Sequence, residues 1–151
     1  SNRADAIALE RFCTHFNFEP MAFDSCDEKG SPIYHTNVMM CIASDFALIC
    51  SKMIKDQKRR KEIINRLAEM GRTIIDLSHE QINNFAGNAI ELSTSSGRIL
   101  AISQRAVSSL TKQQLSIIEQ TAKIVPLSVP TIELAGGSVR CMLAGIHLAR
   151  R

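Results

Sequence analysis

Two short stretches of this chain carry residues suited to covalent chemistry. Gly136-Gly137-Ser138-Val139-Arg140-Cys141-Met142 sets a cysteine behind a glycine pair and next to an arginine. Glycines admit backbone angles with φ > 0 and let a ligand approach the main chain closely. Arg140 supplies a permanent cation beside Cys141, a neighbour suited to a thiolate nucleophile. Such a nucleophile needs a proton-transfer partner, and a histidine distant in sequence is the usual one. Pro32-Ile33-Tyr34-His35-Thr36-Asn37-Val38 offers it, as a polar patch opening an apolar run. The expected arrangement brings His35 and Cys141 to one cleft across the sheet edges.

The composition sets limits on what else the chain does. Its 151 residues fit one domain with a real core, and the 45% apolar and 22% charged fractions are ordinary for a globular protein. A net charge of +3 is only mildly basic and forces neither a nucleic-acid nor a membrane partner. The apolar runs are too short for a transmembrane span, and no signal peptide is visible. Five cysteines (13, 26, 41, 50 and 141) stand at wide, irregular gaps without a CxxC pair. That pattern argues against structural zinc and fits a reducing cytoplasm, with Cys41 and Cys50 as small buried hydrophobes. No metal or cofactor is implied.

The elements that must position the two stretches follow from periodicity and turn chemistry. Asn2 is placed to cap a helix from about Arg3 to Phe16, with Asp5 in its first turn and Pro20 beyond its end. Met21-Ala22-Phe23 reads as a short strand, and residues 27–32 as a turn. Residues 38–43 and 46–50 read as a hairpin around Ser44-Asp45, which puts His35 and Asn37 at a strand entrance. Asp56 caps a helix over 57–70 closed by Gly71. The basic run Lys58-Arg59-Arg60-Lys61 in it is best read as a solvated face with Asp56–Arg60 and Lys58–Glu62 pairs, since no aromatic residues interleave. Strand 73–77 follows, then a short helix from Ser78 to about Phe85. A second hairpin, 89–93 with 98–102, turns at Ser95-Ser96-Gly97. A helix restarts at Thr111 with a capping box to Gln114, and strands 124–127 and 131–134 lead to the glycine pair. Strand-strand-helix-strand therefore occurs twice, in mixed sheets with helices on one side.

Residues 32–40 (Pro-Ile-Tyr-His-Thr-Asn-Val-Met-Met), 85–88 (Phe-Ala-Gly-Asn), 90–92 (Ile-Glu-Leu) and 136–142 resemble motifs of the bacterial arginine deiminase-related, amidinotransferase-like proteins. That group includes citrulline-utilisation hydrolases and belongs to the guanidino-modifying superfamily, alongside arginine and agmatine deiminases and dimethylarginine hydrolases. The resemblance runs along essentially the whole chain, with the motifs in the family's order. It implies an α/β fold, a partial α/β propeller of ββαβ units (pentein-like), with this chain as one domain matching the family's C-terminal half and the N-terminal blades absent. It further implies Cys141 as nucleophile and His35 as general acid and base, with Asn37, Asn88, Gly137 and Arg140 in the substrate-binding site. The orienting acid and the substrate carboxylates fall outside this chain; Glu10, Asp24 and Asp27 do not stand in the matching motif. Ala144-Gly145-Ile146-His147 lacks the acidic residue the group tends to have there. His15, His79 and His147 read as surface or packing residues.

The reaction implied is thiolate attack on the central carbon of a guanidino or ureido amino acid, expulsion of an amine, and release of the enzyme-bound carbon by water. Arginine and agmatine deiminases typically carry aspartate two residues after the histidine, where this chain has the neutral Asn37. That difference favours citrulline over arginine. Two other readings stand beside this one. A truncated relative would act as a non-catalytic binding module, its uncovered edges and apolar faces favouring self-association, most simply a homodimer. A basic RNA-binding domain resting on Lys58 to Lys61 is the weaker alternative.

Overall fold

The computed structural model describes residues 4–146. Its first element, helix α1 (Ala6–Phe16), starts at Asp5, whose carboxylate accepts the Ala8 N–H at 2.8 Å, and stops at Asn17 in the left-handed region. The expected cap at Asn2 lies outside the described residues, and Asp5 is itself the cap. Met21-Ala22-Phe23 is not a strand: only isolated bridges form nearby, Ser25 with Ile54 and Cys26 with Pro32. No regular strand lies beside the segment, and Met21 and Phe23 instead pack on the core from a loop. Asp27 closes the following turn by accepting N–H groups from Lys29 and Ser31 at 2.9 and 2.8 Å.

Two ββαβ units follow. In the first, β1 (Met40–Ile42) pairs antiparallel with β2 (Phe46–Ile49), and helix α3 (Gln57–Glu69) returns the chain so that β3 (Thr73–Asp76) lies parallel to β2. A helical turn, α2 (Thr36–Met39), precedes β1. In the second, β4 (Ile90–Thr94) pairs antiparallel with β5 (Gly97–Ser103), and β6 (Lys123–Leu127) lies parallel to β5 after α5 (Gln104–Ser109) and α6 (Lys112–Glu119). Helix α4 (His79–Asn83) joins the units. The repeat expected from the sequence is therefore present, as two three-stranded mixed sheets.

One hydrophobic cluster serves both units. Phe46, Leu48 and Ile49 of β2 and Leu100 and Ile102 of β5 are fully buried in it, with Ile63 and Leu67 of α3 and Ile118 of α6. Two capping boxes interlock above it: Ser78 with Gln81, and Thr111 with Gln114. The two glutamine carboxamides also bond each other, at 2.7 and 3.3 Å, so one pair of side chains closes two helix starts and ties them together.

Three further expectations give way to local chemistry. Val38 and Met39 belong to the helical turn, because Val38 N–H returns to His35 O and Met40 N–H to Thr36 O. Residues 131–134 form helix α7 (Pro130–Leu134), not a strand. Pro130 at its first turn has its φ preset for a helix, and Glu133 N–H bonds Val129 O. In α3 the expected Asp56–Arg60 and Lys58–Glu62 pairs do not form. Arg59 pairs with Glu62 at 2.9 Å, and Arg60 donates twice to Ile54 O, which anchors the helix start to the preceding loop.

Candidate active site

The cysteine sits on a short 3-10 turn, Arg140–Met142, that follows α7. The loop before it is pinned from below. Ser138 and Val139 are fully buried, and Ser138 Oγ donates to Glu133 Oε1 at 3.0 Å. Gly136 turns the chain with φ +88°, and Gly137 makes the turn fit. A Cβ at Gly137 would stand 3.1 Å from Cys141 Cβ and 3.4 Å from its Sγ, so the missing side chain lets the loop fold back on the cysteine. The result leaves Cys141 exposed, while the other four cysteines are buried.

The sulfur faces two carboxamides. Asn88 Nδ2 lies 3.0 Å from Cys141 Sγ and Asn37 Nδ2 lies 3.3 Å from it. Asn88 is only 2% exposed, and every polar atom of its side chain is used. Its Nδ2 also donates to Asn37 O at 2.9 Å, and its Oδ1 accepts the Cys141 N–H at 3.2 Å. Its main-chain carbonyl takes the Arg140 N–H at 3.2 Å. The residue thus buttresses the cysteine, with both of its N–H groups committed.

Backbone geometry explains how residues 85–88 deliver that side chain. Phe85 adopts φ +63°, and Gly87 then passes directly against the α2–β1 junction. A Cβ on Gly87 would lie 2.7 Å from Val38 O and 2.9 Å from Met39 C, so only glycine allows the approach. That contact sets Asn88 within reach of both Asn37 and Cys141.

Segment 35–37 therefore meets the Cys141 turn through Asn37, across 104 positions of sequence. His35 occupies the N-cap position of α2 but makes no side-chain cap. Its ring is exposed, packs edge-on to Tyr34 at 5.3 Å between centroids, and forms no hydrogen bond to Cys141. Arg140 does not bond the sulfur either. Its Nη1 donates to Leu143 O at 3.1 Å, which caps the turn instead. Among the expected site residues, then, Asn37, Asn88, Gly137 and Cys141 are brought together, Arg140 braces the turn, and His35 stands two residues away along the chain. Asn88 is expected from sequence in the substrate-binding site, but its buttressing role is missed there, because it rests on contacts more than fifty positions apart in sequence.

The remaining cysteines contrast with Cys141. Burial, with Glu91's charge adding to it, pushes the Cys41 thiol up to about 12, and burial likewise raises Cys50. His15 is exposed and His79 half-buried; His147 lies outside the described residues. Among the described residues no cluster of three or more His, Cys, Asp or Glu side chains is arranged to hold a metal ion. No helix among them is long and apolar enough to cross a membrane.

Solved structures share this fold. ArgZ, an arginine dihydrolase from the ornithine-ammonia cycle in cyanobacteria, superposes in its apo form with a TM-score of 0.70 at 16% identity, over 91% of this chain and 20% of that one. Its N-terminal domain bound to product gives 0.67 at 17% identity, over 91% of this chain and 46% of the domain. A variant of that domain covalently bonded to a reaction intermediate gives the same score, identity and coverage. The chain thus spans under half of the domain it resembles. No curated protein matches the sequence. A family model does match, that of the eukaryotic N,N dimethylarginine dimethylhydrolases, over residues 1–148. A match of that extent places this chain in the N,N dimethylarginine dimethylhydrolase family, within the guanidino-modifying superfamily.

Proposed function

We propose that the complete protein hydrolyses a C–N bond of a guanidino or ureido amino acid through a covalent intermediate on Cys141. The observation that carries this reading is an exposed cysteine held between two carboxamide N–H donors, at the meeting point of the 35–37 and 136–142 segments. Cys141 Sγ attacks the central carbon, and the C–N bond to the leaving amine breaks after proton donation from His35. His35 then takes a proton from water, whose oxygen displaces the sulfur and restores the thiolate. The imidazole makes no competing hydrogen bond among the described residues, so both nitrogens are available for these transfers.

For the substrate we favour citrulline over arginine, yielding ornithine, ammonia and carbon dioxide. Asn37 directs one N–H to the sulfur, which leaves its second N–H for a ureido oxygen and its neutral Oδ1 for a ureido N–H. A guanidinium has no acceptor for that second N–H, which is then left unpaired at a cost of about 1–3 kcal/mol, enough for a preference of about tenfold. Measuring kcat/KM for citrulline, arginine and dimethylarginine in a full-length protein tests this. Asn37→Asp is expected to move preference towards the cationic substrates by about tenfold, and Cys141→Ser to abolish turnover. Arginine or dimethylarginine preferred with Asn37 in place rules out the ureido assignment.

We also read the chain as the C-terminal part of an α/β propeller, acting without metal or cofactor in the cytoplasm and associating with itself. The alternative is a non-catalytic binding module. Alkylation of Cys141 by a haloacetamidine-type probe separates the two, since a decayed site would react no faster than a free thiol.

A further inference from the structure

We propose that Asn88 is the positioning residue of Cys141, anchoring its backbone through Oδ1 and presenting to Sγ an N–H that stabilises a thiolate more than a thiol. The proposal rests on the reading of Cys141 as nucleophile and assigns its activation to a buried carboxamide in place of the neighbouring arginine.

The orientation of the Asn88 carboxamide is fixed by its own partners. Oδ1 meets a donor, the Cys141 N–H at 3.2 Å, and Nδ2 meets an acceptor, Asn37 O at 2.9 Å. A flipped amide would set donor against donor and acceptor against acceptor at both contacts. The group facing Sγ at 3.0 Å is therefore an N–H. A neutral thiol accepts weakly, whereas a thiolate accepts as an ion, so this donor favours the anion. Burial of the amide keeps water from competing for it. Asn37 adds a second donor at 3.3 Å, but its orientation has no such constraint. Arg140 lies next in sequence yet turns to Leu143 O.

The test needs no substrate. In the 151-residue chain, iodoacetamide labels the exposed Cys141, and peptide mapping confirms the site against the four buried cysteines. Asn88→Asp keeps an oxygen for the Cys141 N–H and removes the donor to sulfur; Asn88→Ala removes both. Each is expected to move the midpoint of the alkylation pH profile upward by about one unit, lowering the rate near neutrality about tenfold. Loss of packing alone would alter the maximal rate and leave the midpoint in place. A further measurement on the unsubstituted chain guards against misfolded variants. The Asn88 side-chain amide signals in an asparagine-labelled NMR sample are expected to shift over the same pH interval as the alkylation rate, and to stop doing so in Cys141→Ala. Midpoints unchanged in the folded variants, or amide signals indifferent to pH, overturn the proposal. A midpoint that moves in a full-length protein without hydrolytic activity would instead retain the role of Asn88 and remove the hydrolase reading.

Discussion

At the scale of single residues, environment sets the exposed Cys141 apart from the buried Cys41 and Cys50. Cys141 stands in the open on a turn, with hydrogen-bond donors at its sulfur. Cys41 sits inside β1 against the shared core, where burial first and Glu91's charge second push its thiol from 9.0 up to about 12. The consequence for stability has a definite sign. In the fold Cys41 is held protonated, whereas unfolded it ionises from about pH 9, so the unfolded chain binds fewer protons above that pH. Its contribution is complete below pH 9 and is lost as pH rises towards about 12. Denaturant titrations at pH 8 and pH 10.5 are expected to show stability falling with pH. In Cys41→Ala the fall is expected to be shallower, at a cost near neutrality of about 1 kcal/mol from lost packing. An equally steep fall in the variant would assign the dependence to other groups.

At the scale of elements, the site depends on how closely one turn passes another. The 85–88 turn touches the α2–β1 junction through Gly87, where a methyl group would sit 2.7 Å from a backbone oxygen. Backbone cannot swing aside as a flexible side chain can, so Gly87→Ala is expected to cost about 1–3 kcal/mol. It should also draw Asn88 off Cys141 and slow alkylation at that residue, while a substitution at the open Gly71 should leave alkylation unchanged. Thermal melts and labelling rates on the same samples check both effects. The contact also marks where sequence reading stops. Both hairpins, helix α3 with its Asp56 cap, and the Thr111–Gln114 capping box are legible because each is set by residues within a few positions of one another. The pairing of Cys141 with the 35–37 segment is legible in residue types, a cysteine behind a glycine pair and a histidine in a polar patch, and the family resemblance points the same way. The Asn88 bridge between them depends on tertiary approach, which no local pattern encodes. Residues 131–134 differ for another reason: Thr131 and Ile132 suit a strand, but Pro130 starts a helix and no strand among the described residues pairs with them.

At the scale of the whole chain, the two ββαβ units behave as one body. β2 and β5 contribute to a single buried cluster, Arg98 pairs with Asp45 across the units, and Glu91 accepts from Ser44 N–H at 3.1 Å. Helix α1 stands apart from that economy of contacts. It has the apolar spacing of a core helix, yet Cys13 is its only buried residue. Ile7, Phe12 and Phe16 are 60%, 54% and 55% exposed, and Phe18 just beyond is 62% exposed. The three phenylalanines form one cluster, with Phe12 centred 4.6 Å from Phe16 and 6.3 Å from Phe18. An aromatic patch of this kind costs free energy in water and is relieved by burial against another surface. We expect the chain on its own to relieve it by self-association, so the apparent mass by light scattering should rise with concentration. Phe12→Ser combined with Phe16→Ser should abolish the rise. Because both rings are already half exposed and lie outside the shared cluster, each change should alter stability by only about 0.5 kcal/mol, and the melting temperature should barely move. A compact monomer at every concentration, with no binding of an apolar dye, would show that the patch is not an association surface.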